Sequence, residues 1–251
     1  MPPEVVAGTM PWVLFLLMAL IAGEEQRGAS APVAHAAPPA PARMMVAAPP
    51  VPAPEPPPAP EPPSVAPAIA GQGRNDYDRW LANSPAARAQ VGGFESFLRG
   101  QELLGIIPTW QLTRTASDYR KCGGPAFEVP PPAEWNHVAR TLRFIKAHVE
   151  PVIGDVEVKS GYRNEALNAC AGGAKESAHR RFFALDLVPT RPGVTRDGLI
   201  RSVCAIHAWR GRGYDIGLGF YAGTRFHIDS KGFRKWGPNG KGATSPCVTG
   251  A

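Results

Sequence analysis

The sequence has little cysteine and lacks the spacing of a thiolate metal site. It contains 4 cysteines among 251 residues, and none of them form a C-x-x-C pair. A zinc site built from cysteine thiolates is therefore not expected. The chain also lacks a run of arginine and lysine with interleaved aromatic residues, and its formal charge of +6 is scattered. We therefore expect no nucleic-acid partner.

The chain also lacks a hydrophobic run long enough for a clear membrane span. Residues 11–23 form an apolar stretch about as long as the core of a signal peptide. Residues 1–30 are thus predicted to be a signal peptide or an N-terminal membrane anchor, although Glu4 and no basic residue precede the apolar stretch. A mis-assigned start codon is the alternative. We expect an exported protein in the periplasm or cell envelope, either released or tethered to the inner membrane.

Proline is abundant instead, and it is concentrated near one end. Many of the 29 prolines lie in residues 31–73, which consist largely of proline, alanine and valine. Such a segment cannot bury a core and favours polyproline II structure, so we predict a disordered linker. A proline-rich ligand for a partner domain is the alternative. His35 lies in this linker and is expected to be inert, and residues 74–251 are the predicted folded domain.

The cysteines all lie in the predicted folded domain. An even number behind an export signal favours disulfide bonds. Four cysteines allow three pairings, and we favour the sequential one, Cys122 with Cys170 and Cys204 with Cys247. The second bond would attach the C-terminal tail. Buried free thiols are the alternative.

Residues 74–251 combine helical and strand patterns without a regular alternation of the two. Ser84 and Pro85 start one helix, and apolar residues at three- and four-residue steps predict two more in "EWNHVARTLRFIKAHV" and "RDGLIRSVCAIHAWRG". Strands are predicted in "GDVEVKSGYR", "FFALDLVP", "IGLGFY" and "FHID", whereas "IIPTWQLTRTAS" looks irregular or extended. We predict a small single α+β domain with a largely antiparallel sheet flanked by helices, and we expect a monomer.

One acidic residue stands in an apolar strand pattern. Asp186 lies between Leu185 and Leu187, where an unpaired carboxylate is costly to bury, and a metal ion removes that cost. His179 precedes it by seven residues, and His227 lies in a second apolar strand. Two imidazoles and one carboxylate are typical of a catalytic zinc site with a fourth position left for water. Histidines with purely structural roles are the alternative.

The surrounding motifs resemble a known enzyme family over residues 156–236. The segments "SGYRN", "GGAKESAH", "GLGFY" and "FHID" follow one another as in the zinc D-Ala-D-Ala carboxypeptidases. These are the LAS-type metallopeptidases that cut peptidoglycan stem peptides. The residues that match the family pattern S-x-H-x-x-G-x-A-x-D and its late histidine are Ser177, His179, Ala184, Asp186 and His227.

This resemblance implies a function and a set of site residues. It implies that Zn²⁺ is held by His179, Asp186 and His227, and that Arg163 and Ser177 contact the backbone carboxylate or carbonyl of a peptidoglycan peptide. Arg163 would also stabilise the negative charge that develops during hydrolysis. The expected activity in cell-wall remodelling is that of a D,D-carboxypeptidase or a cross-link endopeptidase. A non-catalytic peptidoglycan-binding module with a structural zinc is one alternative, and a secreted lytic enzyme is another.

Two positions depart from the family pattern. Phe182 replaces the glycine of H-x-x-G, so the turn into the ligand strand is expected to be made differently. Thr224 stands where family members commonly carry the acidic general base, three residues before the last histidine. Asp229 shares a strand face with His227, and it could orient that histidine or act as the base, with the orienting role favoured. Glu176 is a weaker candidate for the base.

The remaining aromatic residues and histidines are assigned structural roles. Tyr221 and Trp236 could line a cleft, but the core is the commoner place for such residues, and Trp236 is expected to close the domain. His137, His148 and His207 lie in helical patterns and are expected to be surface or packed residues.

Overall fold

The computed structural model describes residues 69–250 of the chain. The signal peptide or anchor predicted for residues 1–30, and residues 31–68 of the predicted linker with His35, lie outside the described residues. In the described part, no helix is long and apolar enough to cross a membrane. The last residues of the predicted linker contact the fold, because the buried Gln72 donates from Nε2 to the carbonyl oxygen of Ala126 at 2.7 Å.

A five-stranded sheet forms the centre of the domain. The strand order is β1–β2–β4–β3–β5, and every neighbouring pair is antiparallel except β3 with β5. The strands are Val156–Ser160 (β1), Ala184–Pro189 (β2), Gly217–Phe220 (β3), Phe226–Asp229 (β4) and Arg234–Trp236 (β5). The predicted α+β class with a largely antiparallel sheet is confirmed.

The two faces of this sheet carry different residue types, because successive side chains of a strand point to opposite sides. The face that we call the core face packs with the helices in one hydrophobic cluster and consists of Val158, Leu185, Leu187, Leu218, Phe220, Phe226 and Ile228. The opposite face, which we call the site face, consists of Ser160, Ala184, Asp186, Gly217, Gly219, His227, Asp229, Arg234 and Trp236. Asp186 is therefore adjacent to two leucines in sequence but points away from them in the fold.

The helices pack around the core face and against one another. Their bounds are Arg74–Asn83 (α1), Pro85–Gly100 (α2), Thr109–Leu112 (α3), Trp135–Phe144 (α4), Glu150–Ile153 (α5), Glu165–Cys170 (α6), Arg196–Arg210 (α7) and Pro246–Thr249 (α8). A π-helical turn, Ile145–Val149, joins α4 to α5. Ser84 caps α2 as predicted, because its hydroxyl accepts a hydrogen bond from the N–H of Ala87 at 3.1 Å.

Two short elements differ from the sequence prediction. The turn of helix at α3 occupies a segment that was expected to be irregular or extended. It forms because the carbonyl oxygen of Pro108 accepts from the N–H groups of Gln111 and Leu112, and Leu112 is anchored in the core. Strand β5 was not predicted, since it has three residues and two of them are exposed.

Both predicted disulfide bonds are present. Cys122 is bonded to Cys170 at the end of α6, and Cys204 of α7 is bonded to Cys247 of α8. The second bond attaches the C-terminal segment to the domain, as expected. All 4 cysteines of the chain are thus paired.

Candidate metal centre in a surface cleft

A row of side chains crosses the site face at the position of Asp186. Ser160, Asp186, His227, Gly219 and Trp236 are successive neighbours across the five strands. The pairing of β1 with β2 shifts register just before Ser160, which brings this serine opposite Asp186. Bulges of this kind commonly re-aim side chains beside functional sites.

His179 reaches this row from a short 3-10 helix, Ala178–Arg181, that precedes β2. The hydroxyl of Ser177 caps this helix and accepts a hydrogen bond from the N–H of His179 at 3.3 Å. The turn into β2 is made by Phe182, whose φ of 54° lies in the left-handed region that glycine favours. The turn therefore keeps the backbone of a glycine turn, which corrects the expectation of a different one. The buried Phe182 ring offsets the strain by packing in the core.

The three predicted metal ligands converge on one point. Nε2 of His179 lies 3.2 Å from Oδ1 of Asp186 and 3.2 Å from Nδ1 of His227, and this Nδ1 lies 3.0 Å from the same Oδ1. Tetrahedral zinc with ligand bonds of about 2.0–2.1 Å places its donor atoms about 3.3 Å apart. The spacing of these three atoms fits a zinc ion, and all three residues are buried.

The outer hydrogen bonds of the two histidines decide which ring nitrogens face the cluster. Nδ1 of His179 donates to the carbonyl oxygen of Gly161 at 2.6 Å, and Nε2 of His227 donates to Oδ2 of Asp229 at 2.8 Å. In a neutral imidazole the other nitrogen then carries a lone pair. The lone pair of His179 Nε2, which also lies 3.3 Å from Nη2 of Arg163, and that of His227 Nδ1 in its neutral form then face Oδ1 of Asp186. A cation between these atoms would stabilise this arrangement.

The protonation of two of the three candidate ligands suits a metal. Burial lowers the pKa of His179 to about 4, and the charge of Arg163 adds to this effect. Burial opposes ionisation of Asp186, but His179, His227 and Arg163 outweigh it and hold the pKa of this carboxyl well below its usual range. Burial would also lower the pKa of His227, but its hydrogen bonds to Asp186 and Asp229 outweigh burial and raise the pKa. At neutral pH, His179 is thus neutral and Asp186 ionised, as metal ligands must be.

Asp229 lies behind His227 rather than beside the other ligands. It is buried, and its carboxylate accepts from Nη1 and Nη2 of Arg234 at 2.9 and 2.7 Å and from the N–H of Lys231 at 2.8 Å. Burial raises the pKa of Asp229, but the hydrogen bond to His227 and the charge of Arg234 lower it to about 2. This geometry supports the orienting role, since the carboxylate engages the ring nitrogen that faces away from the cluster.

Two glycines of β3 make room for these groups. A Cβ at Gly217 would lie 2.3 Å from Oδ2 of Asp229, and a Cβ at Gly219 would lie 2.0 Å from the indole of Trp236. The glycine-rich character of this strand is therefore explained by the close approach of site-face side chains.

Asp186 is also bonded by three groups outside the cluster. Arg163, a predicted substrate residue, donates from Nη2 to Oδ2 at 2.7 Å, and its Nε donates to Oγ of Ser160 at 2.9 Å. Arg225 donates from Nη2 to the same Oδ2 at 2.7 Å. The hydroxyl of Tyr221 donates to Oδ1 at 2.9 Å, and burial raises the pKa of this hydroxyl, so it stays protonated.

The cluster lies at the floor of a cleft of about 910 Å³. Tyr221 and Trp236 line this cleft, which corrects the expectation that they belong to the core, and the ring of Trp236 lies 5.2 Å from that of His227. Ser177 and Glu176 also line the cleft, whereas Thr224 is not among its lining residues. None of the predicted structural histidines of the described region, His137, His148 and His207, lines it either.

Sequence reasoning missed two arginines of the site, Arg225 and Arg234. Arg225 stands two residues before His227, so the two-residue period of a strand could have placed both on one face. Arg234 offered no such signal, because its role depends on the parallel pairing of β5 with β3, which brings it beside Asp229.

An α+β fold with two imidazoles and one carboxylate at the floor of an open cleft is typical of zinc-dependent hydrolases. Residues 114–228 match the family model described as Peptidase M15. The resemblance seen in the motifs is thereby confirmed for these residues, which are similar to the peptidase M15 family of zinc D-Ala-D-Ala carboxypeptidases. The match includes the three candidate ligands and ends one residue before Asp229. No curated protein and no solved structure matches the chain.

Proposed function

We propose that the chain is a zinc-dependent peptidase that hydrolyses peptidoglycan stem peptides. The observation that carries this proposal is the convergence of His179, Asp186 and His227 at the floor of an open cleft. The match of residues 114–228 to the Peptidase M15 family model supports both the peptidase activity and the class of substrate. Removal of a terminal D-alanine and cleavage of a peptide cross-link use the same site chemistry, and the experiment below distinguishes them.

The three ligand side chains would hold the metal, and their surroundings keep them ready for it. The chemistry that zinc supplies when bound is polarisation of the scissile carbonyl and activation of a water molecule at neutral pH. Gly161 and Asp229 hold the two imidazoles in the required tautomers through their hydrogen bonds to His179 and His227.

We propose that Arg163 binds the substrate beside the metal. Its side chain is 10% exposed, lines the cleft, and is held by Ser160 and Asp186. A guanidinium fixed there stabilises the negative charge that develops on the carbonyl oxygen. The hydroxyl of Ser177 accepts from a backbone N–H and can still donate its own proton to a substrate oxygen.

The general base is assigned among the carboxylates that line the cleft. Asp229 is not one of them, and its oxygens are occupied by His227, Arg234 and Lys231. Asp118 and Glu176 do line the cleft and are exposed. We assign the base to one of these two, so either Asp118→Asn or Glu176→Gln should remove the acidic limb of the pH–rate profile. Retention of that limb in both variants would exclude them.

The two disulfide bonds support export, because such bonds persist in oxidising compartments. We propose an envelope location, with residues 1–30 directing export or serving as a tether. Cell fractionation and N-terminal sequencing test this. Recovery of the chain in the cytoplasm with reduced cysteines would contradict it.

Two observations favour a second function. Thr224 stands where family members commonly carry the acidic general base, and Asp229 lies behind His227 rather than beside the other ligands. If no carboxylate activates water, the domain would bind peptidoglycan peptides without cutting them, and the metal would be structural. Binding of stem peptides without any cleavage by the zinc-loaded chain is the outcome that selects this function.

The deciding experiment is mass spectrometry of purified muropeptides incubated with the full chain, with and without a chelator. The proposal expects cleavage that stops with chelator and in His227→Ala, and product masses that identify either a lost D-alanine or an opened cross-link. His207→Ala is the matched control, because His207 and His227 are each 4% exposed but His207 lies outside the cluster. Cleavage that persists in the chelated protein would overturn the proposal.

A further inference from the structure

The two oxygens of Asp186 are occupied to different extents. A carboxylate offers about four lone-pair sites on its two oxygens. Oδ2 accepts from Nη2 of Arg163 and from Nη2 of Arg225, each at 2.7 Å. Oδ1 accepts from the hydroxyl of Tyr221 at 2.9 Å, and it is also the oxygen that faces the two histidines of the cluster. The remaining site, on Oδ1, is therefore the one that a metal ion would use.

The loop that joins β3 to β4 supplies two of these donors. Tyr221 and Arg225 face each other across this loop, because the N–H of Tyr221 donates to the carbonyl oxygen of Arg225 at 3.1 Å. The guanidinium carbon of Arg225 lies 5.0 Å from the ring centre of Tyr221, and its Nη1 donates to Oγ of Ser117 at 3.0 Å. The loop thus holds a phenol on one oxygen of Asp186 and a fixed guanidinium on the other.

The presence of Arg225 is not explained by metal affinity. Arg163 already supplies one guanidinium to the buried carboxylate of Asp186, and a second positive charge beside a cation site repels the cation. Asp229, the other buried carboxylate of the site face, is already paired with Arg234. Arg225 therefore contributes something other than stronger metal binding, and the contact that it makes is with the oxygen that does not face the histidines.

The occupancy of Oδ2 decides how this carboxylate could coordinate a metal. Carboxylates bind metal ions through one oxygen or through both. With Arg225 in place, Oδ2 has its lone pairs engaged by two guanidinium groups, so only Oδ1 is available. Without Arg225, Oδ2 would keep a lone pair for the same ion. A second carboxylate oxygen would then take the position that a catalytic zinc keeps for water.

We propose that Arg225 is a positioning residue that restricts Asp186 to binding the metal through Oδ1 alone. The guanidinium acts through Asp186 and touches neither the metal nor the reacting atoms. Its effect is to keep one coordination position of the metal open for water or for the scissile carbonyl. This inference rests on the proposed zinc peptidase function and names a residue that controls the geometry of its metal.

X-ray absorption at the zinc edge and the visible spectrum of the cobalt-loaded protein test this role on the full chain. Arg225→Met removes every donor. We expect it to keep its zinc and to gain about one oxygen ligand, with weaker visible absorption by cobalt because the coordination number rises. Its dissociation constant for zinc should be no higher than that of the wild type, because a positive charge has been removed. The kcat for muropeptides should fall by about tenfold to a hundredfold.

Two further variants complete the test. Arg140→Met is the matched control with an expected wild-type spectrum, because Arg140 also pairs with a carboxylate, that of Asp215, but does not line the cleft. Ser117→Ala keeps Arg225 but removes the acceptor of its Nη1, so the cobalt spectrum should shift in the same direction by a smaller amount. A wild-type cobalt spectrum in folded Arg225→Met, or in Ser117→Ala where Arg225→Met does not fold, would overturn the inference. Loss of zinc from folded Arg225→Met would overturn it as well.

Cleavage of muropeptides by the same proteins separates this inference from the proposed function. If the zinc-loaded wild type cuts nothing but Arg225→Met still gains an oxygen ligand, the peptidase function fails and the positioning role stands. If the wild type cuts muropeptides and Arg225→Met keeps the wild-type coordination, the function stands and the positioning role fails.

Discussion

The two faces of the central sheet are built from the same strands but hold together in different ways. On the core face, Leu185, Leu187 and their neighbours pack against helices in one hydrophobic cluster. On the site face, Asp186 is held by ion pairs to Arg163 and Arg225 from other segments, and His227 is held by a hydrogen bond to Asp229 of its own strand. The core face therefore depends on volume and burial, while the site face depends on charge balance and on the direction of individual donor atoms.

This difference between the two faces explains why β2 appears in the sequence as a run of mostly apolar residues. β2 is buried on both faces, so its sequence does not alternate in the usual way. The buried polar side chains of the candidate metal ligands replace hydrophobic packing on one side, and Asp186 is the residue of β2 that marks this change. A substitution on the core face should therefore affect mainly stability, whereas a substitution on the site face should affect mainly metal binding and activity.

Leu218→Ala on the core face should have the largest effect, and that effect should be on stability. Leu218 is 1% exposed, and removing its side chain leaves a cavity that costs about 3 kcal/mol, or roughly 6–12 °C in Tm. Thermal unfolding measures this. Zinc content and specific activity at low temperature should match wild type, and a loss of zinc equal to the loss of stability would show that the two faces are not separable.

Gly219→Ala should disturb the site face only through a steric clash, because it changes no charge and no hydrogen-bonding side chain. The added methyl group would meet the indole of Trp236, whose displacement should cost about 1–3 kcal/mol and open the wall beside His227. Gly232→Ala is the control, since a Cβ there meets no heavy atom within 4 Å. Equal melting temperatures and equal activities in the two variants would contradict the position assigned to Trp236.

Asp229→Asn should have the smallest effect of the three. Because the carboxylate of Asp229 accepts a hydrogen bond from Nε2 of His227, its loss should weaken zinc affinity by about tenfold to a hundredfold, as measured by competition with a chelating dye. Saturating zinc should restore most of kcat. If kcat stays lost in the zinc-saturated variant, Asp229 is the general base and the orienting role is wrong.

Much of the core face could be predicted from the sequence, and less of the site face. Four strands and the helices α4 and α7 follow from apolar periodicity, because burial selects residue types at fixed steps. The convergence of His179, Asp186 and His227 was predicted from an acid in an apolar strand and two histidines that suit a metal, and the family motif pointed to the same residues. Arg225 and β5 were not found, because a single arginine or three partly exposed residues acquire meaning only through pairing across the sheet.

The zinc content of the purified full chain, combined with X-ray absorption at the zinc edge, tests the central claim most directly. The account predicts one zinc per chain, coordinated by two imidazole nitrogens and at least one carboxylate oxygen, and lost in His179→Ala and in Asp186→Ala. Zinc that binds with the same stoichiometry and the same coordination in both variants would contradict it.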